Sequence, residues 1–92
     1  MIQSFACTET RALFESRFVK KFASIERAAR RKLLMLQAAS QLSDLRVPPG
    51  NRLESLKGNR FGQFSIRVNQ QWRICFRWAN DGAHDIEIVD YH

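Results

Sequence analysis

Apolar and polar residues alternate with two different periods along this chain, and the change falls near its middle. From Ser24 to Ala39 the apolar positions Ile25, Ala29, Leu33 and Leu36 recur at helical spacing, with Ala28 and Ala39 beside them. Ser24 is placed to cap this helix, and Glu26 sits in the first turn, where the helix dipole favours a carboxylate. Thr8 to Ser16 predicts a shorter helix, with Thr8 as cap and Leu13 and Phe14 as its apolar residues. Gln41 to Arg46 predicts one more turn, which Pro48-Pro49-Gly50 ends.

Beyond that break the period is two. Phe64, Ile66 and Val68 oppose Ser65 and Arg67. Trp72, Ile74, Phe76 and Trp78 oppose Arg73, Cys75 and Arg77, and Ile86 and Ile88 oppose Glu87. The short polar links Asn69-Gln70-Gln71 and Asn80-Asp81-Gly82 predict an antiparallel meander. Leu53 to Lys57 predicts a further strand turned by Gly58-Asn59, and Ile2 to Phe5 an edge strand. The expected fold class is α+β: an antiparallel sheet with the N-terminal helices packed on one face. The face carrying Ser65, Arg67, Arg73, Cys75, Arg77 and Glu87 is expected to stay exposed. At 92 residues the chain is expected to be a single domain, 1–92, with a shallow groove instead of a deep cavity.

Charge changes this picture in one respect. The formal net charge is +6, and most of the excess lies before Val47, in Arg17, Lys20, Lys21, Arg27, Arg30, Arg31 and Lys32. Arg27, Arg30 and Arg31 form the outer side of the predicted long helix. Such a stripe is either a solvated face or a phosphate-contacting surface. No apolar run approaches the roughly 20 residues that span a bilayer, and no secretory leader pattern is present. Two isolated cysteines, Cys7 and Cys75, fit reduced thiols in a cytoplasmic protein, with one disulfide as the lesser alternative.

Candidate chemistry narrows quickly. His84 and His92 have no metal-ligand spacing, and no phosphate-binding glycine loop or nucleophile elbow is present, so no metal or cofactor is expected. What remains is Lys57, Arg67, Arg73, Arg77, Tyr91 and His92. Guanidinium forks suit phosphate oxygens, but Arg73 and Arg77 could equally pair with Glu87 and Asp85. The expectation is Arg77 paired and Arg73 free for a ligand. Tyr91 and His92 are either a frayed polar end or a proton donor beside that face.

Four separated segments resemble one family: Leu53-Glu-Ser-Leu-Lys57-Gly58, Ser65-Ile-Arg67-Val-Asn, Gln71-Trp-Arg73-Ile-Cys-Phe and Glu87-Ile-Val-Asp90-Tyr91-His92. They look like the HigB toxins of bacterial type II toxin–antitoxin pairs, within the RelE superfamily. The resemblance implies a ribosome-dependent endoribonuclease that cuts messenger RNA in the decoding site, using the substrate's 2′-hydroxyl and no metal. It implies a HigA-type helix-turn-helix antitoxin as partner, and contact with operator DNA only through that antitoxin. Carried over, Lys57, Arg73, Tyr91 and His92 match catalytic positions, and Arg67 and Asp90 match the motif. Glu54 stands where some relatives have histidine, so it is either the base or a group that orients Lys57. Lys20, Lys21, Arg27, Arg30 and Arg31 become candidate contacts to small-subunit ribosomal RNA. The alternative is a non-catalytic toxin of the same superfamily, such as the gyrase-poisoning ParE toxins.

Overall fold

The computed structural model describes residues 1–91. Helix α1 spans Thr8–Phe14 and helix α2 spans Glu26–Ala38. Strands follow at Glu54–Ser55 (β1), Phe64–Arg67 (β2), Trp72–Ala79 (β3) and Gly82–Asp90 (β4). They form an antiparallel meander in the order β1-β2-β3-β4, the expected topology.

The helical stripe does what its spacing predicts. Ala29, Leu33 and Leu36 of α2 and Leu13 of α1 are fully buried against Ile66, Ile74, Phe76 and Ile86 of the sheet. Phe22 meets Trp72 edge-on, with ring centroids 5.6 Å apart. Each leucine, isoleucine or phenylalanine among them contributes roughly 1.5–3 kcal/mol when fully removed from water.

The helix starts differ from expectation. Neither Thr8 nor Ser24 is a cap: the capping positions are Cys7 and Ile25, without side-chain cap bonds. Lys20–Ile25 winds as a 3-10 helix, whose three-residue period turns both Phe22 and Ile25 inward. The predicted turn at Gln41 to Arg46 is a 3-10 turn over Leu42–Arg46, held by a capping box between Gln41 and Asp44. The Leu53 to Lys57 strand shrinks to two residues, with Leu56 and Lys57 leading from it into a 3-10 turn at Gly58–Arg60.

Residues 2 to 6 are not a continuous edge strand. They run parallel to β4 and touch it at two isolated bridges, Ile2↔Ala83 and Phe5↔Ile86. Between the bridges β4 bulges, with Asp85 at φ 53° and its N–H donating to Ser4 Oγ. The bulge shifts the alternation by one residue, so Ala83 and Ile86 both reach the core. At Gly82, φ is 126° and a Cβ would lie 1.9 Å from the Met1 carbonyl oxygen, so only glycine fits under the crossing chain.

The second face of the sheet is not exposed as expected. Ser65 and Cys75 are fully buried and Arg73 is 9% exposed. The segment between β1 and β2 is tied to this face, with Arg60 donating to Glu87 Oε1 at 3.3 Å. Trp72 to Phe76 is therefore buried on both sides. Burial also pushes the Cys75 thiol up from its ordinary value, which leaves it protonated and unreactive. Cys7 and Cys75 are both free thiols.

Candidate RNA-cleavage cleft

A cleft of about 330 Å³ opens at the end of the sheet where β1, the β2–β3 turn and the end of β4 meet. Arg52, Glu54, Arg67, Asn69, Gln70, Arg73 and Tyr91 line it. Three guanidiniums and one carboxylate leave it positively charged, suited to an anionic ligand.

Arg73 is the buried member. The β2–β3 register sets it opposite Arg67, and Ser65 on the next strand receives its Nε hydrogen bond at 2.8 Å. Its Nη2 donates to the Arg52 carbonyl at 2.7 Å and lies 3.4 Å from Glu54 Oε1. The expectation that Arg73 is free is thus corrected: burial forces its donors onto partners, since an unpaired buried charge is costly. The remaining terminal nitrogen of Arg73 makes no hydrogen bond to any described residue, and Arg73 lines the cleft. Glu87 pairs with Arg60 instead of Arg73, while Arg77 pairs with Asp85 at 3.5 Å as expected.

Tyr91 follows β4 and is held by its N–H bond to the Gln71 carbonyl. Its ring centroid is 5.8 Å from the Arg73 guanidinium carbon, and the side chain is half-exposed. Arg67 donates through Nε to the Asn69 carbonyl, and Asn69 Oδ1 accepts from the N–H groups of Gln71 and Trp72. This turn therefore has its shape fixed by a side chain.

The fold brings together Glu54, Arg67, Arg73 and Tyr91 from the sequence-derived set. Lys57 does not line the cleft: it is exposed and precedes the turn at Gly58–Arg60. Asp90 accepts from Gln71 Nε2 at 3.1 Å and is exposed beside the cleft's rim residue Tyr91. His92 lies outside the described residues. Arg27, Arg31, Lys20 and Lys21 are exposed on the helical side, Lys21 being 3.5 Å from Glu9. Arg30 differs from its neighbours, because it pairs with Glu26 at 2.9 Å and donates to the carbonyls of Leu13 and Arg17. It clamps α1 to α2.

Sequence reasoning missed Arg52, Asn69 and Gln70. It also missed the support behind Arg52. Asn51 is fully buried, and its Nδ2 donates to the carbonyls of Leu45 and Val47. Its Oδ1 accepts from Lys32 of α2. Desolvation, then the neighbouring Arg31, pull the Lys32 ammonium below its ordinary value. The buried asparagine is the signal that could have been read, since a polar residue at the end of a Pro-Pro-Gly break often holds a turn together.

Residues 8–92 match the family model described as the RelE-like toxin of the type II toxin–antitoxin system HigB. The chain belongs to this HigB-like toxin family. Toxin HigB-1 of Vibrio cholerae is 57% identical over 69 residues, 75% of this chain and 72% of the relative. Endoribonuclease HigB of Proteus vulgaris is 44% identical over 41 residues, 45% of each chain. A solved YoeB–YefM complex from Staphylococcus aureus contains a chain that superposes with a TM-score of 0.62 at 16% identity, covering 100% of this chain and 98% of that one. That likeness carries the RelE-like fold alone. The family thus places this cleft on a toxin of a type II system.

Proposed function

We propose that this toxin is a ribosome-dependent endoribonuclease that cleaves messenger RNA in the decoding site. The observation that carries the reading is the buried Arg73 guanidinium at the cleft floor, with Glu54 on one side and the Tyr91 ring on another. The name of the Proteus vulgaris relative, an endoribonuclease, points to the same activity.

The reaction needs three things: a base for the ribose 2′-hydroxyl, positive charge on the phosphate oxygens, and an acid for the departing 5′-oxygen. In the proposed step the 2′-oxygen attacks phosphorus and passes its proton to Glu54. The bond to the 5′-oxygen breaks, and that oxygen takes a proton from Tyr91 or His92. The products are a 2′,3′-cyclic phosphate and a 5′-hydroxyl, and no metal is required. Arg73 faces the developing charge with its uncommitted nitrogen. Glu54 is favoured over Lys57 as base because Glu54 lines the cleft and Lys57 does not. Asp90 acts indirectly, by fixing the end of β4.

The ribosome supplies substrate positioning in this reading. The exposed Lys20, Lys21, Arg27 and Arg31 grip small-subunit ribosomal RNA through phosphates. A HigA-type antitoxin silences the toxin in the cytoplasm and alone contacts operator DNA. The test is to map 5′ ends of messenger RNA after induction of wild type and of Arg73→Lys. New ends bearing 5′-hydroxyls are expected for wild type and should be at least tenfold rarer for the variant. Intact messages with accumulating DNA breaks would point instead to gyrase poisoning.

A further inference from the structure

Three arginines line the cleft, and they are not equivalent. Arg73 has its Nε and one terminal nitrogen bound to Ser65, Arg52 and Glu54. Arg67 commits its Nε to the Asn69 carbonyl. The carboxylate of the cleft, Glu54, is paired with Arg73. Of the three guanidiniums, that of Arg52 alone has no hydrogen bond or ion pair to any described residue, yet Arg52 lines this same space.

Its backbone is unusual as well. Arg52 has φ 46° and ψ 54°, the left-handed region, where glycine or asparagine is the ordinary choice and a long side chain adds strain. The conformation is over-determined by its surroundings. The Arg52 N–H donates to the Pro49 carbonyl, its own carbonyl accepts from Arg73, and the preceding Asn51 is buried and anchored to Lys32. The fold therefore fixes where this side chain leaves the main chain, although the side chain contributes no internal contact.

We propose that Arg52 is a substrate-binding residue that holds an RNA backbone phosphate in the cleft. The inference rests on the reading of the cleft as an RNA site and adds to it a cation that catalysis does not consume. Arg73 is a fixed charge at the cleft floor and Arg67 is tethered through its Nε, whereas the whole Arg52 guanidinium is open to a second set of phosphate oxygens.

The left-handed backbone makes the test clean, because Arg52→Gly removes the cation while relieving the strain. An Arg52 side chain that holds no ligand predicts that this variant keeps or gains thermal stability with RNA binding unchanged. The proposal predicts the same or higher Tm but roughly tenfold weaker binding of a 2′-deoxy-substituted, uncleavable single-stranded oligonucleotide. The slope of log affinity against log salt should become shallower by about 0.7, the release expected for one lost contact on a single strand. Arg52→Lys should restore the wild-type slope and part of the affinity. Wild-type affinity and slope in Arg52→Gly overturn the proposal, as does weaker binding with an unchanged slope. Both results leave the nuclease reading standing if messages are still cleaved on programmed ribosomes. Absence of both oligonucleotide binding and message cleavage in wild type sinks the nuclease reading and this inference with it.

Discussion

The outer face of α2 and the cleft both present arginines, but the two regions hold them in opposite ways. Arg27 and Arg31 stand exposed on the helix, and among the described residues neither is in an ion pair. Arg73 is buried, with Ser65, Arg52 and Glu54 arranged around it. Exposed cations attract polyanions over a Debye length, roughly 8–10 Å at ordinary salt, and are screened as salt rises. A buried guanidinium in fixed geometry gives direction to its charge and is screened far less. Under the proposed function, the contrast divides long-range attraction by the helix face from local chemistry in the cleft.

The largest effect should come from Arg73→Ala. Truncation leaves the Ser65 hydroxyl and the Arg52 carbonyl without their donor, at about 1–3 kcal/mol for each group that stays unsatisfied. Cleavage should fall about 10²–10³-fold, the size seen when one charge-stabilising donor is lost. Denaturant unfolding and ribosome-programmed cleavage measure the two losses separately. Unchanged stability would break the claim that this arginine is a structural as well as a chemical group.

Tyr91→Phe should come next. It keeps the ring over Arg73 and removes only the hydroxyl, so stability should hold while cleavage drops about 10–10²-fold if Tyr91 is the acid. Full activity would transfer the proton donor's role to His92. On the helix face, Arg27→Ala with Arg31→Ala should weaken ribosome binding severalfold and flatten its salt dependence, with the single-turnover rate of bound message unchanged. A slowed chemical step would erase the division between the two regions.

The smallest expected effect concerns a third kind of charge, exposed in the β3–β4 turn. A hydrogen bond from His84 holds the Asp81 carboxyl below the ordinary carboxylate range. A carboxyl lowered in the folded state stabilises above its unfolded value and loses that contribution as pH falls through the lower, folded one. NMR titration should find Asp81 still ionised at pH values where ordinary aspartates are protonated, and His84→Ala should return it to the ordinary range. Identical titrations in the two proteins would remove His84 as the cause.

What the sequence made legible follows the same division. Period 3.6 exposed the buried stripe Ala29, Leu33 and Leu36, and period two exposed Ile66, Ile74 and Phe76, because these residues face one continuous core. The start of α2 was missed because Phe22 and Ile25, three apart, fit a 3-10 turn as well as an α-helix. The bulge at Asp85 was missed because aspartate tolerates a positive φ without requiring one. In the cleft, Arg67, Arg73 and Tyr91 were legible as polar groups on the alternating strands, and the family resemblance added Glu54. Arg52 was not, since its place depends on a left-handed turn that glycine would normally advertise. Alternation also misled: it marked Ser65, Arg73 and Cys75 as facing away from the helices, which says nothing of whether another segment covers them.

The two short bridges between residues 2 to 6 and β4 have one more consequence. A sheet with open borders offers its unpaired amides to any neighbouring molecule, and association of that kind is how many β-proteins clump. Here one border is clipped by the N-terminal segment, broken by the Asp85 bulge, and the other is a strand of two residues. Neither side offers the long flat template that stacking requires. A protein whose sheet carries a deliberately charged cleft can therefore be crowded, on its own or beside others, without its strands finding the wrong company.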